Sequence, residues 1–213
     1  MKTFTIGKKK IVLKEEWMVG FITTWIVGLL AHAYRFFNFL PIWDSIYNFT
    51  GVGSTYTLGR WFLGYAGLIT SMFDLPWVNG AFSLFYISIV VILLTEMFEI
   101  KNKGMIVLCA AIFVSFPTVV SSFAYMYTAD AYLLAFLLAT LAVYLTWCVK
   151  KWGTIAGMVC LAFAMGIYQA YATVAIVLVL LYIIRQFVIE KLDFLEAVRK
   201  DLKYLGMLVG GAV

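Results

Sequence analysis

Three aspartates and two arginines interrupt the strongly apolar chain at one set of turns: Asp44 in Pro41-Ile-Trp-Asp44, Asp74 ahead of Leu75-Pro76, Asp130 in Tyr125-Met-Tyr-Thr-Ala-Asp130-Ala-Tyr132, with Arg35 and Arg60. Tyrosines and tryptophans are interleaved with them. A carboxylate can take the proton of an attacking hydroxyl as its bond forms. A guanidinium can donate two parallel hydrogen bonds to a phosphate. Together, at a membrane face, they suit an amphiphilic, phosphate-bearing substrate. The competing reading is an aromatic belt with scattered loop charges. Asp74 before Leu-Pro also reads as a cap or turn residue, and Asp130 as the opening residue of a helix. Asp44 is the most pointed of the three, because no other charge of either sign occurs between it and Arg60. His32 reads as an interface residue rather than a ligand.

The elements that position these groups follow from hydropathy and charge. Apolar runs near the ~20 residues needed to cross a bilayer predict spans over about 17–38, 80–98, 105–124, 131–149, 153–170 and 171–189. With the amino terminus in the cytoplasm, fourteen of the sixteen lysines and arginines fall inside, and only Arg35 and Arg60 fall outside, as the positive-inside rule requires. The apolar segment Trp61–Phe73 is too short to cross, and a crossing there would invert every later loop against its charge. Residues 40–79 therefore read as one external loop carrying a helix on the membrane surface. The expected location is a cell membrane, multi-pass, of the bacterial inner or plasma type.

A composition of 64% hydrophobic and 13% charged residues excludes an ordinary soluble domain, in which about a quarter of residues are charged. The net charge of +5 is spread over the cytoplasmic loops, so no nucleic-acid partner is expected. No ionisable residue sits in mid-span, which argues against an ion pump or proton-coupled carrier. Cys109, Cys148 and Cys160 lie within spans without metal spacing and read as packing residues. Toward the carboxy terminus, Val188, Leu192, Leu195, Val198, Leu202 and Leu205 recur at helical spacing and predict a cytoplasmic amphipathic helix over 188–204. A further apolar run at 205–213 reads as the start of a seventh span, as in the front part of a longer protein.

Taken in order, these features resemble the amino-terminal membrane module of the GT-C glycosyltransferases, most closely the bacterial GtrII-type glucosyltransferases of O-antigen modification. The likeness rests on Asp44 just after the first span, Gly59-Arg60-Trp61 opening the surface helix, Tyr127-Thr-Ala-Asp130-Ala-Tyr132 beginning the fourth span, and Gly166-Ile-Tyr168-Gln169-Ala-Tyr171 at the outer turn of the fifth and sixth. It covers almost the whole of 1–213. One departure is Ser45, where many GT-C enzymes have the second acid of a pair; this argues against a metal role for that loop.

The resemblance implies an all-α, polytopic transmembrane bundle with an external active site in the cell envelope. It also implies transfer of a hexose, with glucose expected, from a polyprenyl-phosphate-linked donor to a glycan acceptor by inverting displacement. The catalytic base would be Asp44, and the phosphate would be held by Arg60 with Arg35 second. Asp130, Gln169, Tyr127, Tyr132 and Tyr168 would hold sugar or acceptor. No metal ligand and no cofactor are assigned, a divalent metal being left open. A lipid-linked sugar flippase or a non-catalytic membrane subunit is the alternative.

Overall fold

The computed structural model describes all residues except 1, 7, 8, 48–56, 192 and 213, so the centre of the external loop lies outside the described residues. A short antiparallel hairpin, β1 (Lys2–Ile6) and β2 (Lys9–Leu13), precedes a helical body. The body comprises α1 (Glu15–Phe37), α4 (Pro76–Met97), α5 (Lys103–Ser115), α6 (Pro117–Ser122), α7 (Met126–Cys148), α8 (Gly153–Ile167), α9 (Ala172–Arg185) and α10 (Phe194–Ala212). Two short helices, α2 (Trp43–Tyr47) and α3 (Leu63–Ala66), lie in the loop between α1 and α4. The fold is an all-α bundle. Four helical stretches, Glu15–Phe37, Pro76–Met97, Lys103–Cys148 and Gln169–Glu190, are long and apolar enough to cross a membrane, and Gly153–Ile167 is a shorter apolar helix. The chain is a multi-pass membrane protein.

Local chemistry explains the boundaries. Proline opens α4 and α6 at the position where its missing N–H costs nothing. The Asn102 side chain caps α5 by accepting from Met105 N at 3.1 Å, and Asn79 accepts from Leu75 N at 3.0 Å at the start of α4. Pro117 interrupts the 46-residue stretch Lys103–Cys148, and the chain reverses through α6 and a 3-10 turn at Phe123–Tyr125. Within the spans, hydroxyls bond back to their own helix: Thr24 to Gly20 O, Ser88 to Leu84 O, Thr95 to Val91 O and Thr146 to Ala142 O. Lipid offers no partner, so these bonds remove the cost of an unpaired donor.

Packing is close where side chains are small. The buried face of α1 is Gly20, Thr24, Gly28, His32 and Phe36, each four residues from the last. A methyl on Gly20 would lie 3.2 Å from Val91, and one on Gly28 would collide with Leu84 of α4 and meet Val114 of α5. α1, α4 and α5 therefore pack backbone to side chain, as small residues permit in membranes. Gly157 of α8 packs the same way on Ala142 O and Thr146 of α7, and Met158 and Leu161 contact Gly210 and Gly211 of α10. α10 is continuous over 194–212, so the amphipathic and apolar parts of that region form one helix seated on α8. A π-helical turn at Gln186–Glu190 and left-handed Lys191 separate it from α9.

Charges gather at the two ends. At one end Lys14 pairs with Glu96 at 2.7 Å, Lys103 with Glu15 at 2.6 Å and Arg185 with Glu99 at 3.0 Å, and Lys203 donates to Thr146 O at 2.9 Å. Arg35, Asp44, Arg60, Asp74 and Asp130 belong to the other, which holds the cavity described next.

Candidate active site

The loop ahead of α4 is built onto the bundle rather than hanging from it. Gly59 adopts φ +73°, a conformation in which a Cβ is strained. A methyl there would also lie 2.5 Å from Gln169 Nε2, and that amide donates to Leu58 O at 2.8 Å. Trp61 covers Gly166, where a methyl would lie 2.6 Å from the indole. Phe62 N donates to Gly166 O at 2.7 Å. The next residues bury Leu63 and Ala66 against Ala131, Ala135 and Ala139 of α7 and Ala164 and Ile167 of α8. The expected surface helix over Trp61–Phe73 is thus one α turn (α3) and one 3-10 turn, Gly67–Ile69, closed by left-handed Ser71 and Met72. Gly64 and Gly67, poor helix formers, stand in its middle. Its exposed side carries Tyr65, Leu68, Ile69 and Phe73.

This docking leaves a cavity of about 360 Å³ at the same end of the bundle. Asp44 from α2 and Arg60 from the loop both line it. Tyr127 and Tyr132 of α7 and Tyr168 at the end of α8 complete the set expected from sequence. Four further residues line it that sequence reasoning did not assign to the site: Ser121, Ser122, Tyr125 and Tyr171. Three of these had a legible signal. Tyr171 follows Tyr168 by three residues in a single turn, and Ser121-Ser122 is a polar pair closing the apolar run after Pro117.

The Arg60 guanidinium stacks on the Tyr168 ring with its carbon 4.4 Å from the centroid, and Tyr168 lies 5.5 Å from Tyr132 at 26°. Among the described residues no carboxylate pairs with Arg60. Among these residues none accepts from its N–H groups, which suits them to an anion, and the ring beneath supports its charge. Ser121 and Ser122 each donate to Thr118 O, at 2.8 and 2.9 Å, which leaves their oxygens as acceptors. The cavity thus combines one carboxylate, one guanidinium, five phenols and two hydroxyls: a proton acceptor, an anion donor set and a polar, aromatic wall of the kind that binds sugars.

The other expected site residues lie elsewhere. Arg35 does not line the cavity. Its Nε donates to Phe123 O at 2.8 Å, Nη2 to Ala124 O at 3.2 Å and Nη1 to Leu40 O, and Asp74 lies 3.7 Å away. It clips the end of α1 to the turn before α7. Asp74 is almost fully buried, and burial pushes its carboxyl above the ordinary carboxylate range while Arg35 opposes the shift. Asp130 is 2% exposed and accepts from Thr70 and Asn79. Gln169 is occupied with Leu58 O. His32 is buried, bonded to Val114 O at 2.9 Å, with its ring 4.5 Å from that of Phe123. Among the described residues no three His, Cys, Asp or Glu side chains gather into a group able to hold a metal ion.

A helical membrane bundle whose end cavity is lined by both a carboxylate and a guanidinium has the groups that transfer chemistry at a membrane face requires. The family model for glucosyl transferase GtrII matches residues 33–213, so the chain belongs to the GtrII glucosyl transferase family and is a glycosyltransferase. Comparison with curated proteins and with solved structures gives no match.

Proposed function

We propose that the protein transfers a hexose, glucose by its family, from a polyprenyl-phosphate-linked donor to a glycan acceptor at the cavity end of the bundle, and that this end faces away from the cytoplasm. The observation that carries this reading is the placement in one cavity walled by tyrosines of Asp44 and of Arg60, which has no carboxylate partner among the described residues. The acceptor hydroxyl attacks the anomeric carbon as the bond from that carbon to the phosphate oxygen breaks. The hydroxyl proton passes to the Asp44 carboxylate. The electron pair of the broken bond leaves with the lipid phosphate, whose growing charge Arg60 meets with parallel N–H donors. Direct displacement inverts the anomeric configuration. Tyr132 and Tyr168 stack on the sugar, and the exposed apolar side of the docked loop lies where a lipid tail would enter.

Incubating purified full-length protein with a polyprenyl-phosphate hexose and an envelope glycan tests this. Formation of lipid phosphate together with glycosylated acceptor is the expected result. Movement of intact donor between the leaflets of proteoliposomes, with no phosphate released, would instead identify a flippase.

A further inference from the structure

Asp130 stands outside the cavity chemistry, yet both of its oxygens are committed. Oδ2 accepts from Thr70 Oγ1 at 3.1 Å and Oδ1 from Asn79 Nδ2 at 3.2 Å. Thr70 closes the 3-10 turn of the docked loop and is itself 2% exposed, while Asn79 is fully buried in the first turn of α4. One carboxylate on α7 thus holds the far end of the loop to two helices of the bundle. A buried carboxylate is expensive unless its bonds are kept, and here removing it takes the acceptor from the buried Asn79 amide and leaves Thr70 with only its longer bond to Gly67 O at 3.4 Å. The near end of the same loop is the Gly59-Arg60-Trp61 joint on Tyr168, Gln169 and Gly166.

We propose that Asp130 is a positioning residue: its carboxylate latches segment 59–72 onto α7 and α4 and thereby keeps the Arg60 guanidinium in the cavity. The proposal rests on the reading of Arg60 as the phosphate-binding group. It differs from a sugar contact, since Asp130 reaches the substrate only through the loop. Between the two fixed ends the loop is held by apolar contacts, Leu63 and Ala66 on the alanine face of α7 and Phe62 on Phe163 of α8, with no further side-chain hydrogen bond to the bundle among the described residues. Loss of the latch should therefore loosen the loop while the bundle stays folded.

Thiol labelling of the full-length protein, with Cys109, Cys148 and Cys160 replaced by serine, tests this without relying on activity. Ala66→Cys, on the side of the loop that is buried against α7, should label slowly with a water-soluble maleimide, and adding Asp130→Ala should raise its rate roughly ten- to a hundredfold. Val119→Cys, buried on α6 at the same end, should stay protected in both backgrounds. Asp130→Asn retains an acceptor for Asn79 and should restore most of the protection. Unchanged labelling at position 66, or equal exposure at 66 and 119, would overturn the latch. Donor turnover adds the link to Arg60: Asp130→Ala should cost much less in an Arg60→Ala background than in the parent. Equal losses in both would sever that link. Full activity of Arg60→Ala alongside faster labelling at 66 would uphold the latch and remove the phosphate role.

Discussion

Arg35 and Arg60 have the same side chain and opposite surroundings. Arg35 is consumed by three carbonyls and Asp74, whereas Arg60 has a tyrosine ring beneath it and no carboxylate partner among the described residues. Sequence placed both on the same side but could not rank them by occupancy, because their partners are distant in the chain. Arg60→Ala should lower kcat/KM for the donor by roughly ten- to a hundredfold or more, the worth of a charge-assisted hydrogen bond. Arg60→Lys keeps the charge but loses the planar fork and should recover only part of this. Complete recovery in the lysine variant would reduce Arg60 to a headgroup anchor. Asp74 supplies a pH prediction. Its carboxyl binds a proton more tightly in the folded protein than in the unfolded chain, so its contribution to stability is greatest below the ordinary carboxylate value. That contribution falls as pH rises through the window up to the raised value and is flat above it. Thermal unfolding in detergent across this window should show the decline in the parent and not in Asp74→Asn; the same slope in both would assign it to other groups.

The decisive element is the loop of residues 59–72. Two motifs that read in sequence as separate landmarks, Gly59-Arg60-Trp61 and Gly166-Ile-Tyr168-Gln169, are the two halves of one joint. Their glycines are explained by each other's side chains: Gly59 makes room for Gln169 and Gly166 for Trp61. The failure of Trp61–Phe73 to cross was legible from its length and flanking charge. Its broken form and its anchorage through Thr70 were not, because Asp130 and Thr70 are sixty residues apart and no spacing rule joins them. Gly166→Ala should destabilise the protein by about 1–3 kcal/mol through overpacking and weaken donor binding. Combining it with Trp61→Leu, which vacates the space, should recover part of the stability; strictly additive losses would mean that the two do not share the contact. α10 is a second case. Charge and hydropathy divided 188–213 into an amphipathic helix and a new span, whereas left-handed Lys191 and one helix over 194–212 divide it differently.

At the scale of the whole molecule, the helical membrane class was legible because the bilayer enforces it: long apolar runs can only be helices there, and basic residues mark one side. The structure gathers the ends of those runs as the charge pattern demands, with Lys14, Lys103, Arg185 and Lys203 meeting acids or carbonyls at one end and the cavity at the other. What hydropathy could not supply was the interior packing, such as the Gly20, Thr24, Gly28 stripe, whose meaning depends on Leu84 and Val114 standing opposite. If the cavity faces away from the cytoplasm, a cysteine at exposed Leu58 should react with an impermeant thiol reagent in intact cells and one at exposed Asn102 should not; the reverse pattern would put the cavity inside. The most direct test of the account is the rate of lipid-phosphate release from a polyprenyl-phosphate hexose by Asp44→Asn, which keeps the shape of the side chain and removes the proton acceptor. Turnover should fall by roughly two to four powers of ten with donor affinity little changed, whereas near-parent turnover in a folded Asp44→Asn protein would contradict the assignment of this cavity as the transferase site.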